Sequence, residues 1–388
     1  MRIPPGLWRH ASELLAMALA MGVQIQLSIW LAQCDAARRR PALGRAIRVA
    51  GLLAALWAGF SVIDSFPAYQ RRIPSSSALL YWVRGGGLAW CFATTCALVI
   101  LALWRRVPQF SGARRGFIRT AGAALVAAPF AAMGFGILVE RRDLRLREVR
   151  VPLPGLPKDL QGLRLVQLSD IHLSPFLSEQ ELARAVDMAN ELRPHLTVVT
   201  GDLVTSPGGP LEVCLRQLAR LRAEAGILGC LGNHEAYARV ADEATREGRR
   251  LGIYFLRKEA RSLRFGDARL NVAGVDYQPM GGEYLVGAER LIAPGSTNIL
   301  LSHNPDVFDV AAIQGWLLTL AGHTHGGQVT AEILDPSLNP ARFFTRYVYG
   351  LYRRGPSLMW VTRGIGTVGA PVRLGAPPEV VLLRLCAT

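Results

Sequence analysis

The chain has 388 residues, is 51% hydrophobic and carries a formal net charge of +15, which points to more than one domain and excludes an ordinary soluble globule. The charge is unevenly divided: residues 1–150 hold 20 Arg, no Lys and 6 acidic residues, whereas residues 151–388 hold 24 basic and 23 acidic ones. The basic excess therefore flanks apolar runs, where cations meet lipid headgroups, and argues against nucleic acid as a partner, which needs cations clustered on a folded face.

Taken in order, the first half holds four stretches near the length of ~20 apolar residues that a spanning helix needs: 14–32, 49–66, 88–104 and 121–139. Arginines punctuate them at Arg38, Arg39 and Arg40, at Arg71 and Arg72, at Arg105 and Arg106, and at Arg141 and Arg142. Trp30, Trp82 and Trp104 stand near their ends, where aromatic belts form. The expectation is an all-α transmembrane region of about four helices over residues 1–145, multi-pass in a bacterial-type inner membrane, with the lipid bilayer as partner and no obligate protein partner. The count of flanking arginines does not orient it. Arg114-Arg115-Gly116-Phe117-Ile118-Arg119 before an apolar run resembles a twin-arginine export signal and favours the extracytoplasmic side for the later part of the chain. Six cysteines without a CxxC pair read as buried, unpaired thiols.

Residues 146–160, charged and punctuated by Pro152, Pro154 and Pro157, read as a linker or as the first strand of the next domain. From Leu163 onward short apolar runs alternate with amphipathic ones, the pattern of an α/β layered domain over 161–388. Strands are expected at 163–168, 196–200, 227–231, 299–301 and 317–321, with helices at 178–192 and 211–224. Each strand stops at residues able to hold a metal: Asp170 and His172, Asp202, Asn233 with His234 and Glu235, His303, and His323 with His325. Parallel strands present their C-terminal ends along one edge, so these groups can share a crevice. Five of the seven histidines fall at these ends; the other two, His10 and His195, read as structural. Asp170, Asp202 and Asn233 succeed one another at roughly thirty residues, the length of one βαβ unit.

This ordered series, SDIH, TGDL, LGNHE, LSHNPD and GHTHGGQ, resembles the calcineurin-like metallophosphoesterase family over about residues 160–385. The tail, with Tyr349 to Tyr352, Thr362 to Gly366 and Pro377-Pro378-Glu379, looks like its membrane-associated branch, which is similar to UDP-diacylglucosamine diphosphatases and cell-envelope phosphodiesterases. The resemblance implies a four-layer αββα sandwich and two divalent ions. Asp202 would bridge them; Asp170, His172 and His325 would hold one, and Asn233, His303 and His323 the other. It also implies that His234 is not a ligand and protonates the leaving oxygen, and that water activated between the ions attacks phosphorus. Mixed nitrogen and oxygen donors suit Mn, Zn or Fe. Glu235 and Asp306 are candidates for orienting the ligands. The expected activity is hydrolysis of a phosphodiester or pyrophosphate bond in a lipid-linked or cell-envelope substrate, with a UDP-2,3-diacylglucosamine-type pyrophosphate as leading candidate. Phe343, Phe344, Tyr347 and Tyr349 could line an acyl groove or pack in the core. The competing reading is a membrane sensor or transporter with an accessory phosphoesterase domain.

Overall fold

A computed structural model describes residues 5–66, 77–106, 112–279, 281–330 and 339–388; the Arg71–Arg72 pair lies outside them. The chain divides into two compact units, residues 1–139 with 369–372, and residues 140–368 with 373–388.

The first unit is helical: α1 (Pro5–Ala32), a short α2 (Asp35–Arg39), α3 (Pro41–Ser65), α4 (Ala78–Trp104) and α5 (Gly112–Leu138). Four of its helices are long and apolar enough to cross a membrane. Hydrophobic burial cannot bring such helices together in lipid, so small residues and hydrogen bonds do. Ala55, Ala58, Ala89, Ala93 and Ala97 are buried between helices while Leu52, Leu53, Leu56 and Val99 face outward. A Cβ on Gly51 would lie 2.2 Å from Ser28 Cβ, and one on Gly87 would lie 2.0 Å from Ser61 Oγ. Gln24 links α1 to α4 at two points, donating to Thr94 Oγ1 at 2.8 Å and accepting from Trp90 Nε1 at 2.9 Å. Asp64 and Arg84 pair at 3.3 Å.

The second unit holds two six-stranded mixed sheets. Its strands are β1 (Arg145–Leu153), β2 (Arg164–Leu168), β3 (Leu196–Thr200), β4 (Ile227–Cys230), β5 (Ile253–Phe255), β6 (Glu259–Phe265), β7 (Ala268–Gly274), β8 (Thr297–Leu301), β9 (Leu318–Ala321), β10 (Gly350–Arg354), β11 (Ser357–Val361) and β12 (Glu379–Ala387). The sheet orders are β1-β12-β2-β3-β4-β5 and β10-β11-β9-β8-β7-β6. Alternation along the strands builds the layers. Leu165, Val198, Leu228, Ile299, Leu318 and Trp360 meet between the sheets. Their neighbours Val166, Leu168 and Val199 turn outward onto α6 (Glu179–Glu191), α7 (Leu211–Leu218) and α9 (Ala241–Arg250), through Leu182, Leu215 and Ala244. On the second sheet, Leu300 packs with Ala311 of α10 (Phe308–Gln314). The product is the four-layer αββα sandwich; α8 (Asn233–Ala238) caps the end of β4.

Two expectations change in detail. The stretch 146–160 is mostly β1, parallel to β12 with Arg145 opposite Glu379, so the structure shows the strand alternative for this stretch. The helix expected over 211–224 stops at Leu218 because Asn190 redirects the backbone beyond it, donating to Arg220 O and accepting from Arg222 N. All six cysteines are unpaired, but only Cys214 and Cys230 are buried; Cys34 is exposed.

Candidate metal centre

Strands β2, β3 and β4 are mutually parallel, as are β8 and β9, so their C-terminal ends deliver the candidate ligands to one place. The turns after these strands are strained. Asp170, His172, Asp202, His323 and His325 all have left-handed backbones, with φ between 46° and 76°. Such conformations cost about 1–3 kcal/mol each in residues with a side chain and collect at functional sites. Two glycines let backbone approach the carboxylates: a Cβ on Gly232 would lie 2.1 Å from Asp202 Oδ1, and one on Gly322 would lie 2.3 Å from Asp170 Oδ2.

The side chains converge. His303 Nε2 lies 3.0 Å and His172 Nε2 3.4 Å from Asp202 Oδ2. His325 Nε2 lies 3.5 Å from Asp170 Oδ1. Asn233 Oδ1 is 2.9 Å from His323 Nδ1. Three groups each place one ligand atom per residue within 4.8 Å of the others: Asp170, His172 and His325; Asp202, His303 and His323; and His172, Asp202 and His234. Asp170, His172, Asp202, Asn233, His303 and His325 are buried, and His234 and His323 partly so. All eight residues singled out from sequence thus meet in one pocket.

Hydrogen bonding shows which chemistry the pocket suits. Among the described residues, Asp170 Oδ2 and His303 Nε2 are buried without a hydrogen-bond partner, a costly state for polar atoms. His303 Nε2 is near Asp202 but is not aligned with it for a hydrogen bond. The Nε2 atoms of His172 and His325 face each other at 3.1 Å. A divalent cation satisfies such a donor set, and the mixture of imidazole, carboxylate and amide fits Mn, Zn or Fe better than Mg. Electrostatics agree. Burial pushes His172 down, and burial with neighbouring imidazoles pushes His325 well down and His323 to about 3, which keeps them in the neutral form that ligates. Burial pushes the Asp202 carboxyl up, but His303 and His234 outweigh it and hold it well below the usual range. His303 goes the other way: against burial, Asp202 and Asp170 raise it to about 10.

A supporting shell fixes these groups. Glu235, fully buried, accepts from the N–H groups of Asp202, Leu203 and Gly232 at 2.9, 2.7 and 2.8 Å, and so pins the turn that carries Asp202. Asp306 instead accepts from Thr345 Oγ1. Asp170 Oδ1 accepts from His323 N at 2.8 Å, and Asp202 Oδ1 from His234 N at 2.9 Å. His234 differs from its neighbours: its Nδ1 lies 2.6 Å from Thr205 O, which leaves Nε2 as its working atom. His195 is structural, its Nδ1 accepting from Arg164 N. Tyr347 packs in the core against Phe308, and Phe343 and Phe344 are exposed.

Sequence reasoning missed several contributors. Arg373 is fully buried, donates to Gly366 O, Arg363 O and Ala376 O, and sets Nη2 3.3 Å from His325 Nδ1. Tyr277 places its ring against those of His323 and His303. Neither residue lies in a motif, and no local pattern announced them.

The chain is similar to known proteins. The profile of the calcineurin-like phosphoesterase family matches residues 163–337. The chain is 30% identical over 256 residues to a metallophosphoesterase of Aquifex aeolicus (strain VF5), covering 64% of this chain and 94% of that one. It is 32% identical over 280 residues to a transmembrane protein with metallophosphoesterase domain from Danio rerio, covering 68% of this chain but 62% of that longer protein. It is 25% identical over 281 residues to phosphodiesterase YaeI of Escherichia coli (strain K12), covering 70% and 98%. Strand ends that gather imidazoles and carboxylates around unsatisfied buried atoms, together with this likeness, place the chain in the calcineurin-like metallophosphoesterase family as a metal-dependent phosphoester hydrolase with membrane-capable helices.

Proposed function

We propose that the chain is a membrane-anchored phosphodiesterase that uses two divalent ions. Asp202 would be shared by the two ions, Asp170, His172 and His325 would hold one, and Asn233, His303 and His323 would hold the other. The observation that carries this is the convergence of two donor sets, Asp170 with His172 and His325, and Asp202 with His303 and His323, each with its ligand atoms within 4.8 Å of one another. When bound, such ions activate water at neutral pH and neutralise charge on the phosphoryl oxygens. The remaining work belongs to the protein. Glu235 holds the Asp202 turn rigid through backbone N–H groups. His234 donates Nδ1–H to Thr205 O, which leaves Nε2 to serve the departing oxygen, the task of a general acid.

The phosphodiester preference is supported by the name of the E. coli relative. The four apolar helices hold the site at a bilayer and favour an amphiphilic or cell-envelope substrate; a UDP-2,3-diacylglucosamine-type pyrophosphate is the specific candidate. We place the phosphoesterase unit, residues 161–388 together with strand β1 of the stretch 146–160, on the extracytoplasmic face of a bacterial-type inner membrane, guided by the twin-arginine-like stretch 114–119. A reporter that works only outside the cytoplasm, fused after Thr388, should be active; activity of a cytoplasmic reporter there would reverse the assignment and favour the nucleotide-linked candidate. The full chain in detergent, given Mn²⁺, should hydrolyse bis-p-nitrophenyl phosphate. Asp202→Ala should lower that rate by at least ~10²-fold, the scale of losing transition-state charge stabilisation. Unchanged turnover in this variant would sink the two-ion scheme.

A further inference from the structure

A second cationic cavity, apart from the metal ligands, lies in the phosphoesterase unit at its chain entry. Its volume is about 210 Å³, and its lining combines Arg141, Arg142 and Arg184 with apolar Leu177, Met188 and Ile365. Two acidic residues also line it, but both are committed. Asp143 pairs with Arg145 at 2.6 Å. Glu181 caps α6, accepting from Ser178 N and Ser178 Oγ at 2.8 Å each, and stands 3.9 Å from Arg142. Arg141 is buried and donates to Phe176 O. The lining therefore combines guanidinium groups with apolar side chains.

Its place in the chain determines what it meets. Among the described residues the last membrane-capable span runs Thr120–Arg142, so Arg141 and Arg142 come at the place in the chain where a crossing helix would reach lipid headgroups. A phosphate oxygen suits the guanidinium forks, which bind it in a bidentate way, and the adjoining glycerol and upper acyl carbons suit Met188 and Leu177. We propose that this cavity binds the headgroup of an anionic phospholipid from the leaflet that the phosphoesterase unit faces. The site is independent of the hydrolase reading, since retention of lipid is measured without turnover. It abuts the metal centre through one wall: Ile365 N donates to Ser169 O, and Gly366 N to Asp170 O.

The test uses the full chain in phosphatidylcholine nanodiscs with a minor fraction of phosphatidylglycerol. After detergent extraction and washing, phosphatidylglycerol retained per protein is read by mass spectrometry. Wild type should retain it, and Arg142→Gln/Arg184→Gln should retain about 25-fold less, since each basic residue near an anionic surface is worth roughly a fivefold factor. Met188→Glu, which sends a carboxylate into the apolar side, should have the same effect. Arg38→Gln/Arg39→Gln, which removes equal charge elsewhere, should retain as wild type does. Thermal midpoints measured in pure phosphatidylcholine should coincide for all, which separates lost binding from lost folding. Equal retention in the cavity variants, or equal loss in the Arg38/Arg39 pair, overturns the proposal. So does inorganic phosphate that displaces the lipid, because the ligand would then be free phosphate.

Discussion

Glu235 shows how one side chain can govern a centre it does not enter. Its two oxygens serve the backbone N–H groups of Asp202, Leu203, Gly232 and, at 3.4 Å, Val204, whereas an amide keeps one acceptor and turns N–H against N–H. Glu235→Gln should therefore weaken metal retention or activity by about 10–100-fold, the usual scale for groups that orient ligands; elemental analysis of the purified variant beside its rate checks this. His234→Gln has a different signature. It should keep full metal content while turnover falls about 10²–10⁴-fold, the range of general acid–base catalysis. The loss should be smaller on p-nitrophenyl esters than on alkyl esters, whose leaving oxygens need a proton more. Metal lost together with activity would make His234 a ligand. At this scale the sequence was unusually readable, because each candidate ligand follows closely on a short apolar run and lies in a local motif. Arg373 was not readable. It reaches His325 across 48 residues from a loop, and its burial is a property of the assembled fold.

The helical unit gives the corresponding lesson for elements. Length and apolarity located four helices, yet helix contacts depend on which small residues face each other, and a uniformly apolar helix does not reveal its inner face. Gly87 is one such contact. A side chain there collides with Ser61 and Trp57, so Gly87→Val should destabilise the unit by roughly 1–3 kcal/mol, the cost of overpacking, read as a lower thermal midpoint in detergent. Gly86→Val, whose nearest neighbour lies at 3.6 Å, is the matched control and should change little. In the second unit, strands flanked by motif residues were found within a residue or two of their ends. Strand β1 was legible as one of two readings, since Val149, Val151 and Leu153 alternate with Arg150 and Pro152. The edge strand β10, largely exposed, lacks the alternation that marks a half-buried strand and is legible only from its partner.

At the scale of the molecule, the split in charge between residues 1–150 and 151–388 anticipated two parts with different solvents, and the ordered motif series anticipated the layered sheets. Neither could reveal the placement of β12. This last strand pairs in parallel with β1 and antiparallel with β2, so residues 379–387 form an inner strand of the first sheet. Deleting them should leave β1 and β2 with unpaired ladder edges, and the truncated chain should aggregate on expression even though every metal ligand remains. The consequence reaches back to synthesis. The sheet that carries Asp170, Asp202 and Asn233 cannot close until residues 379–387, made after all its other strands, have left the ribosome. Until then the facing edges of β1 and β2 stay unpaired, and open strand edges of this kind favour aggregation.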